Sequence, residues 1–164
     1  MEQAARATRH PQRRVTVRHA STHKPVAVVE LVSTGNTKDR REYRRFVGKV
    51  ADLIDAGIHV LVIDPFRPPP APAGRHAAIW KAVARPRKGR PPFTPPADRP
   101  LLTASYGSPS ADVTARLQPF AVGEAVPDAP LDLTADGDYV TILLEATYAA
   151  YPKVPKLWRD VLEG

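Results

Sequence analysis

Pro25-Val26-Ala27-Val28-Val29-Glu30-Leu31-Val32-Ser33, the turn Thr34-Gly35-Asn36-Thr37, a basic segment from Asp39 to Ala56, and Ile58-His59-Val60-Leu61-Val62-Ile63-Asp64 together decide the fold. The first and last pieces are short β-branched runs of the kind buried in sheets. Between them Tyr43, Phe46, Val47, Val50 and Ile54 recur at helical spacing and form one apolar stripe. Two buried strands joined by one amphipathic helix make a βαβ crossover, so the strands are expected to run parallel. Asp39 is placed to cap the helix, Glu42 to complete a capping box, and Gly57 to end it in a left-handed conformation.

Working outward, Arg14 to His19 alternates apolar and polar residues, which predicts a strand turned back through Ser21-Thr22-His23-Lys24 as an antiparallel hairpin. Residues 1–12 are polar and expected to fray, leaving one α/β domain with a mixed sheet over 13–164. A basic, proline-rich insertion interrupts it around 65–100, where 11 of the 19 prolines fall. Within that insertion the spacing predicts a short helix over Arg75–Ala84, then a mobile loop from Arg85 to Pro92. Leu101–Tyr106 and Val113–Val122 read as strands, the latter at an edge or kinked because of Pro119. Gly123–Leu131 reads as a surface connector, Tyr139–Tyr151 as a helix, and Lys156–Glu163 as a last turn or two.

The chain has 164 residues, no cysteine and a formal charge of +7. Disulfides and thiolate zinc sites are therefore excluded. No apolar signal core or membrane-length window occurs, so a cytoplasmic location is expected. Residues 1–100 hold 20 Lys/Arg against 8 Asp/Glu, whereas residues 101–164 hold 4 against 9. Such asymmetry suits an acidic partner, nucleic acid above all, or else a solvated basic face. Lys38, Arg40, Arg41, Arg44 and Arg45 crowd the start of the helix, where its dipole disfavours cations. That placement points to binding of nucleic acid rather than to helix stability.

Chemistry concentrates on Glu30. Alternation places Val26, Val28, Glu30 and Val32 on one face of a strand, where an ionised carboxylate needs a partner. It either reaches solvent or an arginine, or serves a site. Lys49 lies at the edge of the helical stripe, from where its ammonium can reach a polar pocket. Parallel pairing brings Glu30, Ser33 and Asp64 toward one sheet edge, the usual ligand position in open α/β sheets. Asp64 is equally placed to cap the turn before Pro65. His59 and Trp80 read as structural.

Val28-Val29-Glu30-Leu31-Val32-Ser33-Thr34-Gly35-Asn36-Thr37-Lys38, the helix, and Gly57–Asp64 resemble an uncharacterised bacterial family, domain-of-unknown-function family 4058. Leu101–Tyr106, Gly123–Leu131 and Leu144-Glu145-Ala146-Thr147-Tyr148 are similar to it as well. The same centre resembles endonucleases of the PD-(D/E)XK, restriction-endonuclease-like superfamily, in a branch reading P-D-x-V-V-E-V-x-S. Pro25, Glu30, Ser33, Lys49, Gly57 and Asp64-Pro65 match that pattern by spacing. The resemblance implies a restriction-endonuclease-like core, Glu30 and Lys49 as catalytic residues, and Mg²⁺ held by Glu30 with Asp64. It departs at Val26, where the pattern carries a metal-binding aspartate. Two functions follow: a nuclease-like domain that contacts or cleaves nucleic acid, or an inactive binding or scaffold protein on the same fold.

Overall fold

The computed structural model describes residues 14–33, 39–66, 74–88 and 93–150. Strand β1 (Arg14–Arg18) pairs antiparallel with β2 (Pro25–Leu31), closing the expected hairpin. The His19 amide donates to the Lys24 carbonyl at 2.9 Å, and His23 takes the turn's left-handed conformation at φ +55°. Helix α1 (Arg40–Asp55) leads to β3 (His59–Asp64), which pairs parallel with β2, Glu30 opposite Val62. The βαβ crossover is thus present.

Local chemistry sets the ends of α1. Asp39 Oδ1 accepts from the amides of Arg41 at 2.6 Å and Glu42 at 3.2 Å. The expected capping box does not close, because the Glu42 carboxylate accepts from Arg45 Nη1 at 3.0 Å instead. Gly57 sits at φ +83° and its amide donates to the Ile54 carbonyl, ending the helix as a C′ glycine does. Phe46, Val47, Val50, Ala51 and Ile54 bury the apolar stripe against the sheet.

Strands β4 (Leu101–Gly107) and β5 (Thr114–Phe120) continue the sheet antiparallel, giving the order β1-β2-β3-β4-β5. Pro119 lies in the edge strand, where a missing amide costs least. Helix α2 (Gly74–Ala82), slightly shorter than expected, packs beside α1 on the same sheet face. Its Ile79 and Trp80 join Val60, Val62, Ala104 and Tyr106 in the main core. The opposite face is covered by a ribbon of β6 (Ala129–Asp132) and β7 (Tyr139–Ile142), followed by α3 (Leu144–Ala150). Ala129 and Leu131 pack there on Ala27 and Leu61. The architecture is α/β with a mixed five-stranded sheet.

Three expectations need correction: the Tyr139–Tyr151 helix, the Gly123–Leu131 connector, whose end from Ala129 is strand, and the mobile loop from Arg85. Tyr139–Tyr151 is not one helix: Tyr139–Ile142 is strand, and helix begins only at Leu144. Val140, Thr141 and Ile142 are β-branched and pair with the end of the supposed connector, Leu131 opposite Val140. Gly137 at φ +94° and a Thr134–Asp138 turn make the reversal. The basic stretch from Arg85 is not mobile through Lys88. Val113 donates its amide to the Pro86 carbonyl at 2.8 Å, and Lys88 returns a bond to Val113 at 2.9 Å. The Arg85 guanidinium donates to Ser108 Oγ at 2.6 Å and also to the Pro109 carbonyl. Arg85, and Arg87, whose guanidinium donates to the Trp80 carbonyl, therefore act as cross-links inside the fold. The remainder of that loop, and Lys156–Glu163, lie outside the described residues. No helix among the described residues is long and apolar enough to cross a membrane.

Candidate functional site

Glu30 lies on the α1 face of β2, and only 3% of it is exposed. Its Oε2 accepts from Lys49 Nζ at 2.8 Å, so the structure brings together the two residues singled out from the sequence. The Lys49 side chain leans over the Phe46 ring, 5.5 Å from its centroid, and stays 44% exposed. Its stem lies along apolar surface while the ammonium faces both the buried carboxylate and solvent. Arg14 Nη1 stands 3.9 Å from Glu30 Oε1, an oxygen that has no hydrogen-bond partner among the described residues. A buried carboxylate is thus flanked by two half-open cations.

Asp64 is two residues beyond Val62 on β3 and shares the sheet face of Glu30. Its carboxylate is held by Arg75: Nε donates to Oδ2 at 2.5 Å and Nη2 to Oδ1 at 2.6 Å. The Phe66 amide donates to Oδ1 at 3.2 Å, so Asp64 also caps the turn before Pro65. Burial pushes its carboxyl above the ordinary range, and the Arg75 bond and charge pull it partly back. Arg75 is itself 2% exposed, and its Nη1 has no hydrogen-bond partner among the described residues. Nothing in the sequence marked this pair, because an arginine opening a short helix carries no periodic signal for burial.

Beside the pair, His76 Nδ1 and the Tyr106 hydroxyl are 2.7 Å apart and their rings stack at 5.7 Å. Burial drives the His76 imidazole down to about 4 and raises the Tyr106 hydroxyl, which Asp64 raises further. The ring is therefore neutral at physiological pH. A small cavity between Asp64, Arg75, His76 and Tyr106 is walled by Val62 and Ile79.

Val26 does not share the face of Glu30. Arg18 pairs with Pro25 and Val17 with Ala27, so Val26 is the extra residue of a β-bulge. The bulge breaks the alternation, and Val26 packs against the Ala27–Leu61 cluster. An aspartate there would not face Glu30. Ser33 follows β2, half-buried, at the expected sheet edge. Arg40, Arg41, Arg44 and Arg45 are exposed; Arg45 is committed to Glu42, and the other three make no ion pair among the described residues. Lys38 lies outside the described residues.

On the far face, His59 is buried and accepts the Ser108 amide on Nδ1 at 3.0 Å, a structural role as expected. Burial lowers its imidazole. Asp132 accepts from Arg116 Nη1 at 2.8 Å and presses against Gly107.

These residues do not fit Mg²⁺, which favours several hard oxygen donors with net negative charge. Glu30 meets Lys49 and Arg14, Asp64 is closed by Arg75, and Val26 supplies no ligand. Among the described residues, no group of three His, Cys, Asp or Glu side chains is placed to hold an ion. What the arrangement offers is a fixed ammonium, with N–H donors to spare, on a helix that also exposes Arg40, Arg41 and Arg44 without an ion pair among the described residues. No protein-family model, curated protein or solved structure matches the chain.

Proposed function

We propose that this chain contacts nucleic acid through the open face of α1, on a nuclease-like core whose carboxylate site is closed by its own cations. The observations that carry the reading are the Lys49–Glu30 contact at 2.8 Å and, on the same helix, the exposed Arg40, Arg41 and Arg44, which make no ion pair among the described residues. Glu30 orients the lysine; the lysine and arginines then meet phosphates as point charges and forks. Cations at the positive end of a helix cost stability, so their clustering is explained by an anionic partner rather than by the fold.

The test is retardation of short single- and double-stranded DNA and RNA over a salt series. Four phosphate contacts give a log–log salt slope of about −3 to −4. Replacing Arg40, Arg41 and Arg44 by Gln lowers that slope by about 2 to 3. Absence of binding at low salt, or binding that ignores the triple replacement, rejects the reading.

A second reading, divalent-metal-dependent cleavage, has one observation in its favour: Glu30 Oε1 is without a hydrogen-bond partner among the described residues. Plasmid nicking with Mg²⁺ or Mn²⁺ that is lost in Glu30→Ala selects that reading instead. Salt-sensitive binding without cleavage selects the first.

A further inference from the structure

Helix α3 ends the described part of the chain and buries none of its own residues. Leu144 packs on the Ala27–Leu61 cluster, and the Glu145 carboxylate accepts from the Val126 amide at 2.9 Å. Tyr148, four residues beyond Leu144 and so on the same side of the helix, is 76% exposed. All of 146–150 is exposed with it. The second turn of α3 thus runs past the core on which the first turn sits. A helix this short is marginal in water without packing, so that turn calls for a cover.

The sequence that follows, 151–164, has the pattern of such a cover. Pro152 bars a continuation of α3, because the residue before a proline is pushed out of the helical region, and Pro155 suits the first turn of a new helix. Beyond it Leu157, Trp158, Val161 and Leu162 fall at i, i+1, i+4 and i+5, one apolar stripe on a helical period. Lys156, Arg159, Asp160 and Glu163 all fall on the other side. We propose that 156–163 forms a helix that turns back antiparallel along α3 and seats its apolar stripe, Trp158 included, against Tyr148. The connection 151–155 has the length that joins two antiparallel helices in an αα-hairpin. The new helix would span about 12 Å, against roughly 10 Å for α3. Tyr148 and Trp158 then supply the large ring surfaces that favour a paired aromatic contact. So short a tether gives an effective concentration on the order of millimolar, so the stripe meets its own α3 ahead of a second copy or another protein.

The chain has no cysteine, so a single introduced thiol reports on its own position. Val161→Cys, on the stripe, and Arg159→Cys, on the charged side, are reacted in the full chain with a thiol reagent, each rate divided by that of the same variant unfolded in urea. Val161→Cys is expected to be protected at least about threefold more than Arg159→Cys. The ratio should hold over about a hundredfold dilution, as an intramolecular contact requires. Adding Tyr148→Asp, at an exposed position, is expected to remove more than half of the difference. A smaller protection, or a ratio that falls on dilution because a second copy supplies the cover, overturns the proposal. So does protection that survives Tyr148→Asp, which would place the segment elsewhere. Leu157→Cys against Lys156→Cys repeats the comparison if thermal melting shows that a variant has failed to fold.

Discussion

Lys49 Nζ stands 2.8 Å from Glu30 Oε2, and the two ends of this ion pair live in different solvents. The glutamate side chain is 4% exposed and the lysine 44%. Removing the lysine therefore strands a buried charge, whereas removing both groups does not. Lys49→Met is expected to cost about 2 to 3 kcal/mol, tempered by water and by Arg14. Glu30→Leu combined with Lys49→Met returns to within about 1 kcal/mol of wild type. Urea midpoints at constant m-value read both; equal losses in the single and double variants would contradict this account.

Asp64 and Arg75 form the more deeply buried pair, with side chains 12% and 1% exposed. Arg75→Met leaves Asp64 with only the Phe66 amide and is expected to cost roughly 3 to 5 kcal/mol, more than Lys49→Met. The ranking of the two variants in urea is the check, and the reverse order counts against it.

Stability should fall on acidification because of His76. The unfolded imidazole takes up a proton near 6.5, the folded one only at about 4. The contribution is complete above pH 6.5 and is lost as pH falls toward 4, amounting to roughly 3 kcal/mol. Asp64 works with the opposite sign, since its raised carboxyl holds a proton more tightly when folded. In His76→Gln the acid-side loss between pH 6.5 and 4 is expected to shrink markedly. Melting temperatures across that range report it, and an undiminished loss rules His76 out.

Gly107 is required for space rather than for φ. A Cβ there would lie 2.4 Å from Asp132 Oδ2 and 2.7 Å from Thr114 Oγ1. Because Asp132 is buried and bound to Arg116, it cannot swing away freely. Gly107→Ala is expected to destabilise by about 1 to 3 kcal/mol. Gly48 has open space around its would-be Cβ, so Gly48→Ala, at a helix-interior position, serves as the contrasting control and is expected to stabilise slightly.

The hairpin, the parallel crossover and the burial of α1 were all legible in the amino-acid order. Each rests on short-range periodicity: two for a strand, 3.6 for a helix, and a crossover rule that leaves one arrangement. Periodicity put Lys49 only within reach of a polar pocket; that Glu30 and Lys49 belong together came from the resemblance. Even the exposure of Lys49 followed from its place at the rim of the apolar stripe. Tertiary structure decided the rest. Which cation closes Asp64 depended on where a proline-rich stretch delivers Arg75. Which way Val26 faces depended on one inserted residue in the hairpin register. Tyr139–Ile142 became strand because Ala129–Asp132 offered it a partner, and a strand's partner is a non-local fact that no window of sequence contains.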